Sequence, residues 1–335
     1  MPPPPPVLME ELIEEILLRL PPADPVSLTS TRFCRRFREF HRSPSMLGFL
    51  CNNYGNRRKH RGPYVSRFVP TSSFHAPACA AHHEWRAFDA RHGRILFRYR
   101  NMRTLGPIDL FVWDPMTDKR WHLPEKNLLC CGWNVAVLCA RTGACDHLDC
   151  CSGPFIVRMA PGASRPMLLG PWGPFANRVD VEPTALAGNT LYFQIDYGKR
   201  ILGYDLATRE TSVVQLPPKH EDSSTALITV DDGGLGVARL DKTAKLSLWS
   251  MEASTNGDMG WTKFRVIELD KLLSVDPHSI RYNFVGFAHG VGAFIVGTGD
   301  WLLSFHLTSG QVRKVCVAET QEEECNDRGI CGVIP

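Results

Sequence analysis

The sequence predicts an α+β multidomain chain, a small N-terminal helical module followed by an all-β propeller of five or six blades, with a large β-sandwich as the alternative. Three observations carry this. Residues 8–21, LMEELIEEILLRLP, have helical apolar spacing and end on a proline pair; the helical period is lost after about residue 85; and beyond that point a strand unit recurs about every 45 residues.

On a helix of 3.6 residues per turn, Leu12, Ile13, Ile16, Leu17 and Leu20 share an arc of roughly 140°, while Glu10, Glu11 and Glu14 face away. Leu18 projects among those glutamates, which points to a second apolar surface. Pro21-Pro22 stops the helix, and Asp24-Pro25 has the form of a new helix start. Phe33, Cys34, Phe37 and Phe40 then form an apolar stripe between arginines, and Ser43-Pro44 opens a further turn carrying Met46, Leu47, Phe49 and Leu50. The expected divisions are a proline-rich tail over 1–6, the helical module over 7–50, a linker and domain entry over 51–84, and the β domain over 85–335.

These N-terminal strings resemble the F-box, the motif that docks substrate receptors onto the Skp adaptor of cullin-based ubiquitin ligases. Met9 stands where many members of that family have proline, and Phe37 where many have tryptophan. The resemblance implies that Leu8, Met9, Leu12, Ile16, Leu18, Pro21 and Leu28 bury against a Skp-type adaptor and, through it, reach a cullin scaffold.

Composition places the chain among folded globular proteins, with 44% hydrophobic and 22% charged residues. A net charge of +3 is too small to argue for nucleic acid. The opening MPPPPP followed by acidic residues lacks the form of a secretory signal, and no apolar run reaches the roughly 20 residues of a membrane span. A cytoplasmic or nuclear protein is expected, its 12 cysteines mostly reduced and buried. The basic cluster Arg57-Arg58-Lys59-His60-Arg61 reads as a solvated linker face.

In the β region, LFVWDPMT from Leu110, LGYDLATR from Leu202, LSLWSMEA from Leu246 and LSFHLTSG from Leu303 each read as an alternating strand closing on a polar turn. The first interval is twice the 46-residue unit, so a copy is expected near residue 156, where Pro154–Met159 sits. Each copy follows another apolar run, at 94–97, 134–140, 190–195, 235–240 and 293–296. A ring of small sheets buries their faces against one another and protects their edges. Ile330–Ile334 is expected to supply a closing strand, paired near Phe68 or Phe74. DARHGRILFR at 89–98, WNVAVLCA at 133–140 and CDHLDC at 145–150 resemble the propeller domains that follow the F-box in plant, particularly grass, proteins.

Chemistry-bearing motifs are sparse. Gly290 and Gly292 lack the third glycine of a phosphate cradle, and there is neither a GxSxG elbow nor an HExxH helix. Cys145, His147, Cys150 and Cys151 are zinc-type ligands, but they crowd into one loop without paired spacing. No catalytic residue, metal or cofactor is assigned. The expected function is that of a non-catalytic substrate receptor of a Skp-cullin-F-box ubiquitin ligase, and the alternative is a protein-binding module outside the ligase. Trp85, Trp172, Tyr197 and Trp261 are the candidate target contacts, because aromatics dominate interface hot spots.

Overall fold

The computed structural model describes residues 48–54, 64–70, 81–83, 85–99, 109–115, 117–124, 134–140, 153–159, 184–196, 198–217, 223–230, 232–253, 259–280, 285–289, 292–298, 301–317 and 330–334. Almost all of them are β. Strands β1 (Gly48–Tyr54), β2 (Tyr64–Pro70) and β3 (Ala81–His83) begin one antiparallel sheet. Next come β4 (Trp85–Arg91), β5 (Arg94–Tyr99), β6 (Leu110–Asp114) and β7 (Lys119–His122), a four-stranded sheet in chain order. A pair follows, β8 (Val135–Cys139) with β9 (Phe155–Met159). Three more four-stranded sheets are β10 to β13 (Ala185–Ala187, Thr190–Ile195, Arg200–Asp205, Thr211–Gln215), β14 to β17 (Ser224–Thr229, Leu235–Leu240, Lys245–Ala253, Met259–Glu268) and β18 to β21 (Val285–Ala288, Ala293–Gly297, Trp301–His306, Val312–Val317). The last strand, β22 (Ile330–Ile334), returns to pair with β1.

The sheets form a ring. Strand β4 lies against β8 and β22, β22 against β18, β18 against β14, and β14 against β10. Among the described residues, five hydrophobic clusters fill spaces between successive sheets. Leu50 and Phe68 pack with Ile95, Phe97 and Trp113; Leu96 and Val112 with Val135 and Val137; Leu138 with Leu191 and Phe193; Ile201 with Val237; and Leu248 with Phe294 and Phe305. Alternation along a strand produces this directly. On β5, Ile95 and Phe97 serve one neighbouring sheet while Leu96 serves the other, so both faces are buried and the strand reads as one apolar run. Each fully buried Phe, Ile or Leu contributes about 1.5–3 kcal/mol. This is a β-propeller, closed by joining the two ends of the described chain in one sheet.

The expected α+β arrangement is overturned. Helical structure among the described residues is confined to α1 (Leu269–Leu273) and a 3₁₀ turn (Pro277–Ser279). Of the module expected over 7–50, only residues 48–50 are described, and they are strand: Gly48 pairs with Pro70 on one side and Ile334 on the other. Phe49 and Leu50 are fully buried. A short apolar run enclosed on both faces carries no period of its own, which is why it also fitted a helical turn. The partner of the closing strand is β1, one strand inward from Phe68.

Candidate functional site

The inner ends of the sheets bring together polar residues that are far apart in sequence. Strand β4, WRAFDAR, carries three charged residues, Arg86, Asp89 and Arg91, of which Asp89 and Arg91 share one face at i, i+2. Both are buried and paired, Arg91 Nε to Asp89 Oδ1 at 3.1 Å. The second carboxylate oxygen accepts the Val137 N–H of β8 at 2.9 Å. Arg91 Nη2 donates to the carbonyl and the hydroxyl of Thr184, immediately before β10. Further round, the Thr229 hydroxyl donates to the Leu186 carbonyl at 3.2 Å and meets His289 Nδ1 at 3.2 Å. The other ring nitrogen of His289, Nε2, is enclosed and without a hydrogen-bond partner.

These contacts set the electrostatics. Burial raises the Asp89 pKa above the usual carboxylate range, against the opposing pull of the Arg91 guanidinium. Burial, with a smaller contribution from Arg91, depresses His289 to about 3, so its ring is neutral at ordinary pH. Perturbed groups in a channel are a pattern shared with active sites. Here, however, both Asp89 oxygens and the Arg91 fork are already bonded, to each other, to Val137 of β8 and to Thr184 before β10. The seam at β1 is built the same way: Asn52 donates through Nδ2 to Ala87 O at 3.0 Å and accepts the Ala87 N–H at 3.0 Å, imitating a strand partner across two sheets. Among the described residues, no group of three or more His, Cys, Asp or Glu is placed to hold a metal.

A cleft of about 420 Å³ opens between the β4–β7 sheet and the β8–β9 pair, lined by Arg94, Asp114, Lys119, Trp121 and Phe155 among others. Its polar groups are largely turned inward. Arg94 donates to Gly153 O and lies 4.9 Å from the Phe155 ring centre, and Asp114 receives the Thr117 N–H and hydroxyl.

The outer strands are different. Among the described residues, the exposed large apolar side chains are Val213 on β13 (51%) and Met259, Phe264 and Val266 on β17 (62%, 49% and 51%), the outermost strands of two adjacent sheets. A bulge in β17 opposite Leu248 and Trp249 sets Trp261 and Lys263 on one face and Arg265 and Ile267 on the other. Trp261 Nε1 donates to Gln215 O at 2.7 Å in the preceding sheet, and Arg265 Nη1 to Leu307 O at 2.5 Å in the following one. Strand β17 is thus braced from both sides.

Of the sequence-derived candidates, Trp85 packs among Tyr99 and Phe111, at ring-centre distances of 5.1 and 4.5 Å, and Trp261 is wedged between sheets as described. Trp172 and Tyr197 lie outside the described residues, as do Leu8, Met9, Leu12, Ile16, Leu18, Pro21 and Leu28 and the Cys145–Cys151 loop. The structure does not bring Trp85 and Trp261 together. Sequence reasoning missed the Asp89, Arg91, Thr184, Thr229 and His289 network. Opposite charges at i, i+2, Asp89 and Arg91, beside the apolar side chains of β4 were its one local signal.

No helix among the described residues is long and apolar enough to cross a membrane. No family model matches the chain, and no curated protein matches it. Among solved structures, the β-propeller domain of Cps50 (Swd1) from Myceliophteria thermophila is similar at 11% identity and a TM-score of 0.36, covering 84% of this chain and 88% of that one. A Bacteroides uniformis protein provisionally assigned as a 6-phosphogluconolactonase is similar at 13% identity and a TM-score of 0.38, covering 82% and 83%.

Proposed function

We propose that the chain is a non-catalytic protein-binding receptor whose propeller holds a target protein. The observation that carries this reading is the division of side chains: the buried Asp89 and Arg91 are bound to each other and to neighbouring sheets, while Val213, Met259, Phe264 and Val266 are left exposed on the outermost strands of adjacent sheets. Clustered exposed apolar side chains on a folded surface mark contact sites.

The finer part of the proposal rests on the N-terminal sequence. Its resemblance to adaptor-docking motifs supports a role as substrate receptor of a Skp-cullin ubiquitin ligase, working in the cytoplasm or nucleus, with Leu8, Met9, Leu12, Ile16, Leu18, Pro21 and Leu28 meeting the adaptor. In such an assembly the receptor raises the effective concentration of the target beside the transferring enzyme, and ubiquitin chemistry occurs elsewhere. One finding favours a second reading, a binding module outside the ligase: residues 48–50 belong to the propeller, which shortens the segment left for docking.

Co-purification with a Skp-type adaptor separates the two. The full chain is expected to capture the adaptor, and Leu12→Asp with Ile16→Asp to abolish capture while the β signal in circular dichroism is unchanged. A wild-type chain that captures no adaptor, or a double variant that captures it equally well, removes the ligase role.

A further inference from the structure

Edge strands in soluble proteins are kept short or covered, because their unpaired N–H and C=O groups invite another strand. The outermost strands β3, β7, β13 and β21 have 3, 4, 5 and 6 residues. Strand β17 has 10, and among the described residues only β16 pairs with it. Among the described residues it also carries three of the four exposed large apolar side chains. Its bracing by Trp261 and Arg265 fixes the strand in extended form before any partner arrives, which lowers the ordering cost of pairing.

We propose that the open edge of β17 is a β-augmentation site for a short extended peptide segment that alternates acidic with apolar side chains; this rests on the receptor reading and names its contact surface. The charge on β17 selects the partner. Lys263 stands over the Trp249 ring at 4.7 Å and Arg265 is held by a backbone carbonyl, so both cations are partnered by neutral groups and keep their charge. Cross-strand pairs of opposite charge stabilise and like charges directly opposite destabilise. An acidic strand therefore complements this edge. A second copy does not, because antiparallel pairing of two β17 strands about their midpoint sets Lys263 and Arg265 of one copy beside those of the other. The bulge limits flat pairing to Met259–Lys263 on one side or Arg265–Glu268 on the other, so the segment is short; on the second stretch an acid beside Arg265 sets the neighbouring apolar residue beside Val266, next to the exposed Phe264 of the bulge.

The test uses the full chain and a synthetic decapeptide pool with Asp or Glu at alternate positions and Val, Ile, Leu, Phe or Tyr between them. A matched pool has Lys in place of the acids. The acidic pool is expected to bind, to slow hydrogen exchange of backbone amides in Met259–Glu268, and to bind about tenfold less to Lys263→Glu, a loss of about 1.4 kcal/mol. Phe264→Ser, an exposed position, is expected to weaken binding while thermal unfolding is unchanged. Absence of binding overturns the proposal, as does equal binding of the lysine pool or protection elsewhere on the ring. A concentration-dependent dimer that Phe264→Ser weakens and Lys263→Glu strengthens would assign the edge to a second copy instead. Adaptor capture that persists while the peptides fail leaves the receptor reading standing and rejects this surface alone.

Discussion

Arg91 donates to both the carbonyl and the hydroxyl oxygen of Thr184, tying the β4–β7 sheet to the β10–β13 sheet past the intervening β8–β9 pair. The guanidinium is held in turn by Asp89, whose other oxygen binds β8. Three sheets thus share one buried ion pair. Removing one member of such a pair strands a charge in the interior. Asp89→Ala is expected to lower stability by about 3–5 kcal/mol in urea unfolding. Asp89→Leu combined with Arg91→Met should cost clearly less than the sum of the two single changes, and strict additivity would show that the pair does not act as a unit.

His289 gives the fold a pH dependence of defined sign. Its folded pKa, about 3, lies below the ordinary value of 6.5. Between those values the unfolded chain takes up a proton that the folded chain refuses. The contribution is complete above pH 6.5 and is lost as pH falls through that window, by about 2 kcal/mol at pH 5. Denaturant titrations at pH 7.5 and pH 5 are expected to show a smaller acid loss in His289→Gln than in the parent. An identical loss in both would place the acid sensitivity elsewhere.

Gly236 sits in β15 where a Cβ has no room: it would lie 2.7 Å from Ile228 Cγ1 and Val230 Cγ1 and 3.0 Å from the Trp249 carbonyl oxygen. Gly236→Ala is expected to destabilise by about 1–3 kcal/mol. Gly260, on β17, would present its new methyl to open space, so Gly260→Ala should change stability by no more than about 0.5 kcal/mol. The comparison by thermal melting isolates crowding from the general effect of replacing a strand glycine.

Deleting residues 330–334 removes β22 and uncovers the inner edge of β1. A loss of about 3 kcal/mol, corresponding to roughly 6–12 °C in melting temperature, is expected together with faster amide exchange in Gly48–Tyr54. An unchanged melting temperature would mean that the seam adds nothing to the ring.

What the sequence revealed, and what it hid, follows from the range of the interactions. The strands at Leu110, Leu202, Leu246 and Leu303 were legible because alternation and turn chemistry are local. The Asp114-Pro115 turn is an example, with the Asp114 carboxylate accepting the Thr117 N–H at 3.3 Å and its hydroxyl at 2.8 Å. The copy expected near 156 is β9. Phe49 and Leu50 were misread because full enclosure erases the polar positions that distinguish a strand from a helix. The channel network was invisible for a different reason: Arg91 and Thr184 are 93 residues apart, and Thr229 and His289 are 60 apart. Only the closing of the ring makes them neighbours. The outlying length of β17 was likewise hidden, since its exposed apolar residues alternate with charges as in any solvated strand.

The pairing of β1 with β22 has a consequence for biosynthesis. The two strands are separated by most of the polypeptide, and at roughly 5–20 residues per second the ribosome needs on the order of 15–55 s to travel from one to the other. Throughout that interval the nascent chain offers an unmatched hydrogen-bonding margin at Gly48–Tyr54, so protection by chaperones and the timing of release bear on yield more heavily than in a protein whose first and last segments fold apart.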